Sequence, residues 1–129
     1  MRLSVIIVYV ILLGTSQGIT GQTINERVVS SLERNDHVSL VECFHSMTDL
    51  QIPGYSGSFS QSQASVIMKK FLTDHPVASI SLTRNGNNSD GSKFALGELV
   101  SGGRKYRLHF VTREIDGKQK VMVLKITST

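Results

Sequence analysis

The side chains in this sequence that could do chemistry are its histidines, its carboxylates and a single cysteine. A metal site would need several of them clustered at ligand spacing. His37, His45, His75 and His109 are instead scattered along the chain. Glu42 and His45 form one E-x-x-H pair at helical spacing. A carboxylate-bridged centre requires two such pairs and further carboxylates, so no metal is expected. Cys43 has no partner for an internal disulfide. No basic residue at helical spacing activates its thiol, and it reads as a small buried hydrophobe. G-x-S-x-G, the nucleophile elbow of α/β-hydrolases, occurs only at Gly14–Gly18, behind the N-terminal apolar run and not between a strand and a helix, so no elbow is expected. The GxxxxGK[ST] phosphate loop is absent. No catalytic residue and no cofactor is expected.

One constellation survives: Glu98, Arg107 and His109, set among Leu96, Met122 and Leu124. A few polar groups on a mostly apolar surface are what a ligand pocket presents. The competing reading is a cross-strand ion pair on a wet face, worth less than about 1 kcal/mol, and the balance favours it. Either reading depends on strand register, which two turns supply. Phe94–Val100 and Lys105–Arg113 read as strands joined by Gly102-Gly103, and Gly-Gly accepts the positive φ of a tight hairpin. Asp116-Gly117 marks a second hairpin, returning through Val121–Ile126. With two-residue loops at both, Glu98 faces Arg107, Leu96 faces His109, and His109 faces Leu124. One face then collects Ala95, Gly97, Leu99, Tyr106, Leu108, Phe110, Val121 and Val123. The other collects Phe94, Leu96, Glu98, Arg107, His109, Val111, Met122, Leu124 and Ile126. Neither is plainly polar, whereas a sheet with one wet side alternates cleanly. Both faces are therefore expected to be at least partly covered, one by helices and the other by a partner subunit, a ligand or a loop. Arg104, Lys105 and Arg107 make a small basic cluster read as a solvated hairpin end.

The elements before the meander are shorter. Ile24, Val28 and Leu32 recur four apart, with Val29 beside them, predicting a helix over 24–34. Asn35-Asp36 interrupts it, and Asp36 opens a second short helix through Phe44 with Val38, Val41 and Phe44 on its inner face. Met47–Ile52 alternates as a short strand ended by Pro53-Gly54. Tyr55–Ser58 is turn-rich, with at most a stub of strand at Gly57-Ser58-Phe59. Ser60-Gln61-Ser62-Gln63 is a capping box. The stripe Ala64, Ile67, Met68, Phe71, Leu72 follows it, and Pro76 closes the helix. Val77–Arg84 alternates as a half-buried strand, and 85–91 (NGNNSDG) reads as a loop. Its N-x-S triplet is given no weight.

Residues 1–18 have the layout of a secretory signal peptide: Met1-Arg2, the apolar run Leu3–Leu13, then small Ser16 and Gly18 two apart. The run is short of the roughly 20 residues of a membrane span, so no stable span is expected after cleavage. Residues 19–23 read as a flexible lead-in and 24–129 as one domain. About 110 residues suffice for one self-sufficient core. The net charge of +4 is mild and tryptophan is absent, which argues against nucleic acid and against a stacking platform.

The order helix, helix, short strand, helix, long antiparallel strands resembles the nuclear transport factor 2-like fold, a cystatin-like cone. The likeness extends to residues. Gly102-Gly103-Arg104-Lys105-Tyr106-Arg107-Leu108-His109-Phe110, then Asp116-Gly117-Lys118 and Val123-Leu124-Lys125-Ile126, resembles the C-terminal signature of an exported Bacteroidota family, domain of unknown function 4783. His109 stands where that family often has an aromatic residue. The resemblance implies an α+β domain with N-terminal helices on a strongly curved antiparallel sheet, export, and often a homodimer through the sheet. It carries no catalytic residues. The expectation is an exported, periplasmic or extracellular, non-catalytic binding or assembly module whose partner is an unidentified small molecule or protein. The alternative is a small-molecule carrier or enzyme using the cone interior.

Overall fold

The computed structural model describes residues 22–129. The leader expected at 1–18 and the first part of the lead-in lie outside the described residues. Helix α1 (Ile24–Glu33) starts at Thr23, whose side chain accepts the Glu26 N–H, and it buries Val28, Ser31 and Leu32. It ends in a Schellman turn: Asn35 takes φ 53°, its N–H reaches Leu32 O at 3.0 Å, and the Asp36 N–H reaches Ser31 O at 2.9 Å. Asp36 then caps α2 (His37–Glu42). That helix stops earlier than the apolar spacing predicts. Cys43 is its C-cap and Phe44 already belongs to a strand. Leu40 and Val41 turn inward, whereas Val38, expected on the inner face, is 57% exposed. The Asp36 cap sets the helical phase, and one and a half turns leave no room for a stripe beginning at Val38.

Strands β1 (Phe44–Ile52) and β2 (Tyr55–Ser60) form a hairpin, so β2 is a full edge strand rather than a stub. Helix α3 (Gln61–Asp74) shows both bonds of the capping box, and Ala64, Ile67, Met68, Phe71 and Leu72 are all buried. Four long strands follow: β3 (Ser79–Asn87), β4 (Lys93–Ser101), β5 (Arg104–Ile115) and β6 (Lys118–Ser128). Strand β3 thus runs into the stretch expected to be loop. The six-stranded sheet has the order β2-β1-β6-β5-β4-β3. It is antiparallel except where β1 lies parallel to β6. No helix of the described residues is long and apolar enough to cross a membrane.

Both hairpin turns are two-residue loops. Ser101 pairs with Arg104 and Ile115 with Lys118. Gly102 and Gly103 take φ 57° and 75°, and Asp116 and Gly117 take 51° and 79°, the double positive φ that matches strand twist. The β4–β5 register holds throughout, with Glu98 opposite Arg107 and Leu96 opposite His109. The β5–β6 register does not. Thr112 pairs with Val121 but Val111 pairs with Val123, so Met122 is the extra residue of a β-bulge. His109 consequently faces Lys125, not Leu124. Leu124 and Ile126 move to the buried face and Val123 to the other.

The bulge resolves the puzzle of two mixed faces. The fully buried residues of β4, β5 and β6 all share one face: Ala95, Gly97, Leu99, Ser101, Tyr106, Leu108, Phe110, Thr112, Val121, Leu124 and Ile126. There they meet Val28 and Leu32 of α1, Leu40 of α2, and Met68 and Phe71 of α3 in one core. On the opposite face no residue of these strands is fully buried. A second irregularity lies in β1, where Phe44 pairs with Val121 and Asp49 with Val123. Thr48, buried at this kink, sets its hydroxyl 3.1 Å from His45 O and 3.2 Å from Val121 O. A third sits at Thr83 in β3, opposite Gly97. Bulges increase local twist and bend, and three in one sheet curl it around the helices.

Candidate functional site

The structure places Glu98, Arg107 and His109 on the helix-free face of the sheet. Glu98 and Arg107 are exposed and directly opposite each other. Among the described residues neither takes an ion-pair partner, so the cross-strand ion pair does not form. They line a shallow depression of about 200 Å³ with Thr83, Leu96, Gly97 and Thr129. His109 stands one pair further along, half-buried, and does not line that depression. Burial lowers the pKa of its imidazole, and the neighbouring Lys125 ammonium lowers it further. The three residues thus share a face but not an enclosed pocket.

The other motifs disperse. Glu42 ends α2 while His45 lies in β1, so the helical spacing of E-x-x-H is broken. Among the described residues no three His, Cys, Asp or Glu side chains converge as a metal site would require. Cys43 is buried, and desolvation raises its thiol pKa. Arg104 and Lys105 are exposed at the hairpin end.

The space between helices and sheet is filled by side chains. Val28, Leu32, Leu40, Leu99, Leu108 and Phe110 are all 0% exposed. Larger concavities occur where α1 begins. A cleft of about 860 Å³ runs between α1 and the end of β3, lined by Glu26, Val29 and Glu33 on one side and Leu82, Asn85 and Asn87 on the other. A second hollow of about 710 Å³ shares Gln22, Thr23, Ile24 and Lys93 with the first. It continues to Arg27, Glu42 and the start of β6.

Residues 25–127 match the family described as "Domain of unknown function (DUF4783)". The chain belongs to the DUF4783 family. Among solved structures it is similar to a DUF4783 protein from Bacteroides uniformis (22% identity, TM-score 0.76, 83% of this chain and 98% of that one). A DUF4783 protein from Bacteroides fragilis is similar too (19% identity, TM-score 0.73, 80% and 96%). An NTF2-like protein from Cytophaga hutchinsonii shares the fold (14% identity, TM-score 0.61, 82% and 93%). Among curated proteins no relative is found. The NTF2-like α+β fold is thereby shown.

Sequence reasoning about this DUF4783 chain missed both concavities. Asn85 and Asn87 lay in a stretch read as loop, yet they extend β3 and line the cleft beside α1. Lys93, Lys118 and Lys120 begin strands, where charge reads as solvated ends. The one available signal was the run Lys118-Gln119-Lys120 immediately after a certain turn.

Proposed function

We propose that this DUF4783 chain is an exported, non-catalytic assembly module that pairs with a second copy of itself through the bare sheet face. The observation that carries this is the asymmetry of the sheet. One face is sealed by three helices, while the other keeps the apolar row Val123, Val111, Phe94, with Leu96 beside it, only half-buried. A contiguous apolar patch rimmed by polar groups is characteristic of an interaction surface. The same face carries charges of both signs, Asp49 and Glu98 with Arg84, Arg107 and Lys125, so a two-fold copy has complements to offer. Six strands at about 4.8 Å spacing, over about eight residues of length, give a projected face on the order of 600 Å². That approaches the roughly 800 Å² per partner of a standard stable interface. In this reading Glu98, Arg107 and His109 are contact residues. Export to the periplasm or beyond rests on the signal-peptide pattern of residues 1–18.

Light scattering coupled to size exclusion tests the pairing. The chain from residue 19 should run as a dimer at high micromolar concentration. Val111→Lys, which sets a charge in the apolar row, should yield a folded monomer. A monomer for the unsubstituted chain refutes the reading.

A second reading, a carrier or enzyme using the helix side, is favoured by the cleft between α1 and β3, whose volume falls in the range of small-molecule sites. A thermal-shift screen with sterol-like, aromatic and lipid compounds discriminates, because a pocket ligand adds stability by mass action.

A further inference from the structure

We propose that the hollow beneath the start of α1 is an oxyanion site, built to hold a phosphate- or sulfate-bearing group. Arg27 of α1, Lys93 at the head of β4, and Lys118 and Lys120 at the head of β6 all line this one hollow of about 710 Å³. Glu42 is the only carboxylate in the lining. Four cations from three separate elements are thus brought to a concave wall by the fold itself. Lys120 is held in place by donating to the Glu42 carbonyl at 3.2 Å. None of the four forms an ion pair among the described residues, whereas Arg34, Lys70 and Arg113 each do. Nearby acids do not cancel the charge. Asp90 is engaged by Arg113, Glu26 accepts the Thr23 hydroxyl on the side of the neighbouring cleft, and Glu114 and Asp116 of the β5–β6 hairpin lie outside the lining.

The physical consequence is a concave surface with four cations against the one Glu42 carboxylate, a net positive potential that concentrates anions. Helix α1 adds to it. Thr23 and Ile24 form part of the wall, at the positive end of the helix dipole, although the Thr23 side chain already takes the Glu26 N–H. A guanidinium fork with several ammonium groups suits a tetrahedral oxyanion carrying more than one charge. The lining has no aromatic residue, so a nucleobase would find no stacking partner. The shape is a hollow rather than a stripe, which favours a compact group over a long polyanion. Such a group could be a free ester or the headgroup of an anionic lipid.

The test uses the chain from residue 19 and two probes at constant ionic strength: inorganic pyrophosphate, and vesicles of phosphatidylcholine with or without phosphatidic acid. Calorimetric titration should show saturable pyrophosphate binding. The exposed pair Lys93→Gln with Lys118→Gln should weaken it by about tenfold or more, as expected when two charge-assisted contacts are lost. The control pair Lys69→Gln with Lys105→Gln removes the same charge elsewhere and should leave binding unchanged. Circular dichroism of each variant without anion establishes that it folds. Vesicle binding that requires phosphatidic acid and is lost in the first pair identifies a headgroup as the source, whereas binding of pyrophosphate alone identifies a soluble ester. Equal loss in both pairs, or no saturable binding of either probe, overturns the proposal. The hollow lies away from the bare sheet face, so Val111→Lys should bind pyrophosphate like the parent chain, and this site and the dimer stand or fall separately.

Discussion

Substituting Asn35 should separate two contributions that hold the helical layer on the sheet. Its side-chain amide makes a reciprocal pair of bonds with the backbone of Val77, across the molecule: the Val77 N–H donates to Oδ1 at 2.8 Å and Nδ2 donates to Val77 O at 3.3 Å. Val77 is buried, so losing these partners leaves backbone groups with little access to water. Each bond contributes about 0.5–1.5 kcal/mol net, more where a buried partner stays unpaired. The backbone of Asn35 also sits at φ 53°, which asparagine tolerates and which costs another residue about 1–2 kcal/mol. Asn35→Gly removes the bonds but keeps the left-handed turn, and should cost about 2 kcal/mol. Asn35→Ala adds the backbone strain and should cost about 3–4 kcal/mol. For a domain of about 100 residues these become Tm losses of roughly 10 °C and 15 °C. Calorimetric melts and urea unfolding of the three proteins measure both numbers. Equal stability of the glycine and alanine variants would refute the strain argument, and a glycine variant within about 0.5 kcal/mol of the parent would refute the tether.

Two further outcomes follow from the sheet. A methyl group at Gly97 would overlap the backbone oxygen of Ser81, so Gly97→Ala must push β3 away and should cost about 2–3 kcal/mol, with faster amide exchange along β3; unchanged exchange there would contradict the close approach. His109 has a lowered pKa from burial and from Lys125, so the unfolded chain binds its proton more readily than the folded one. Stability should therefore rise with pH through the window below about 6.5 and fall on acidification, and His109→Asn should flatten that slope in denaturant titrations at a series of pH values.

The parts of the fold legible in the sequence are those decided locally. Gly102-Gly103 and Asp116-Gly117 specify tight turns because few other pairs tolerate two positive φ values. The Ser60–Gln63 box and the stripe behind it specify α3 for the same local reason. The misread parts are decided by distant partners. Phe44 suits either the end of a helix or the start of a strand, and only its pairing with Val121 chooses. The serine and glycine of β2 carry weak strand preference, yet the β1 edge recruits them. Val121-Met122-Val123 is apolar at every position, so the sequence holds no parity signal for a bulge. The oxyanion hollow was illegible for a related reason: Arg27, Lys93, Lys118 and Lys120 span most of the domain's length, and only the closed fold makes them neighbours.

That one extra residue at Met122 changes what the protein can be argued to do. In an unbroken register, Leu124 and Ile126 would sit beside His109, making an apolar nest for Glu98 and Arg107 to line. The bulge instead sends both to the core, where they are 0% exposed, and puts Lys125 opposite His109 and Thr127 opposite Arg107. The polar trio loses its apolar walls and gains a cation next to the histidine. An enclosed ligand site on that face is replaced by a shallow, mixed surface, the character of a docking face rather than a pocket. On the helix side the same sheet curls over a sealed core, and the concavities that remain lie at its end, where α1 starts and the β5–β6 hairpin turns. The proposed binding surfaces therefore lie on the bare face and at the rim, and the filled core between helices and sheet holds them in place.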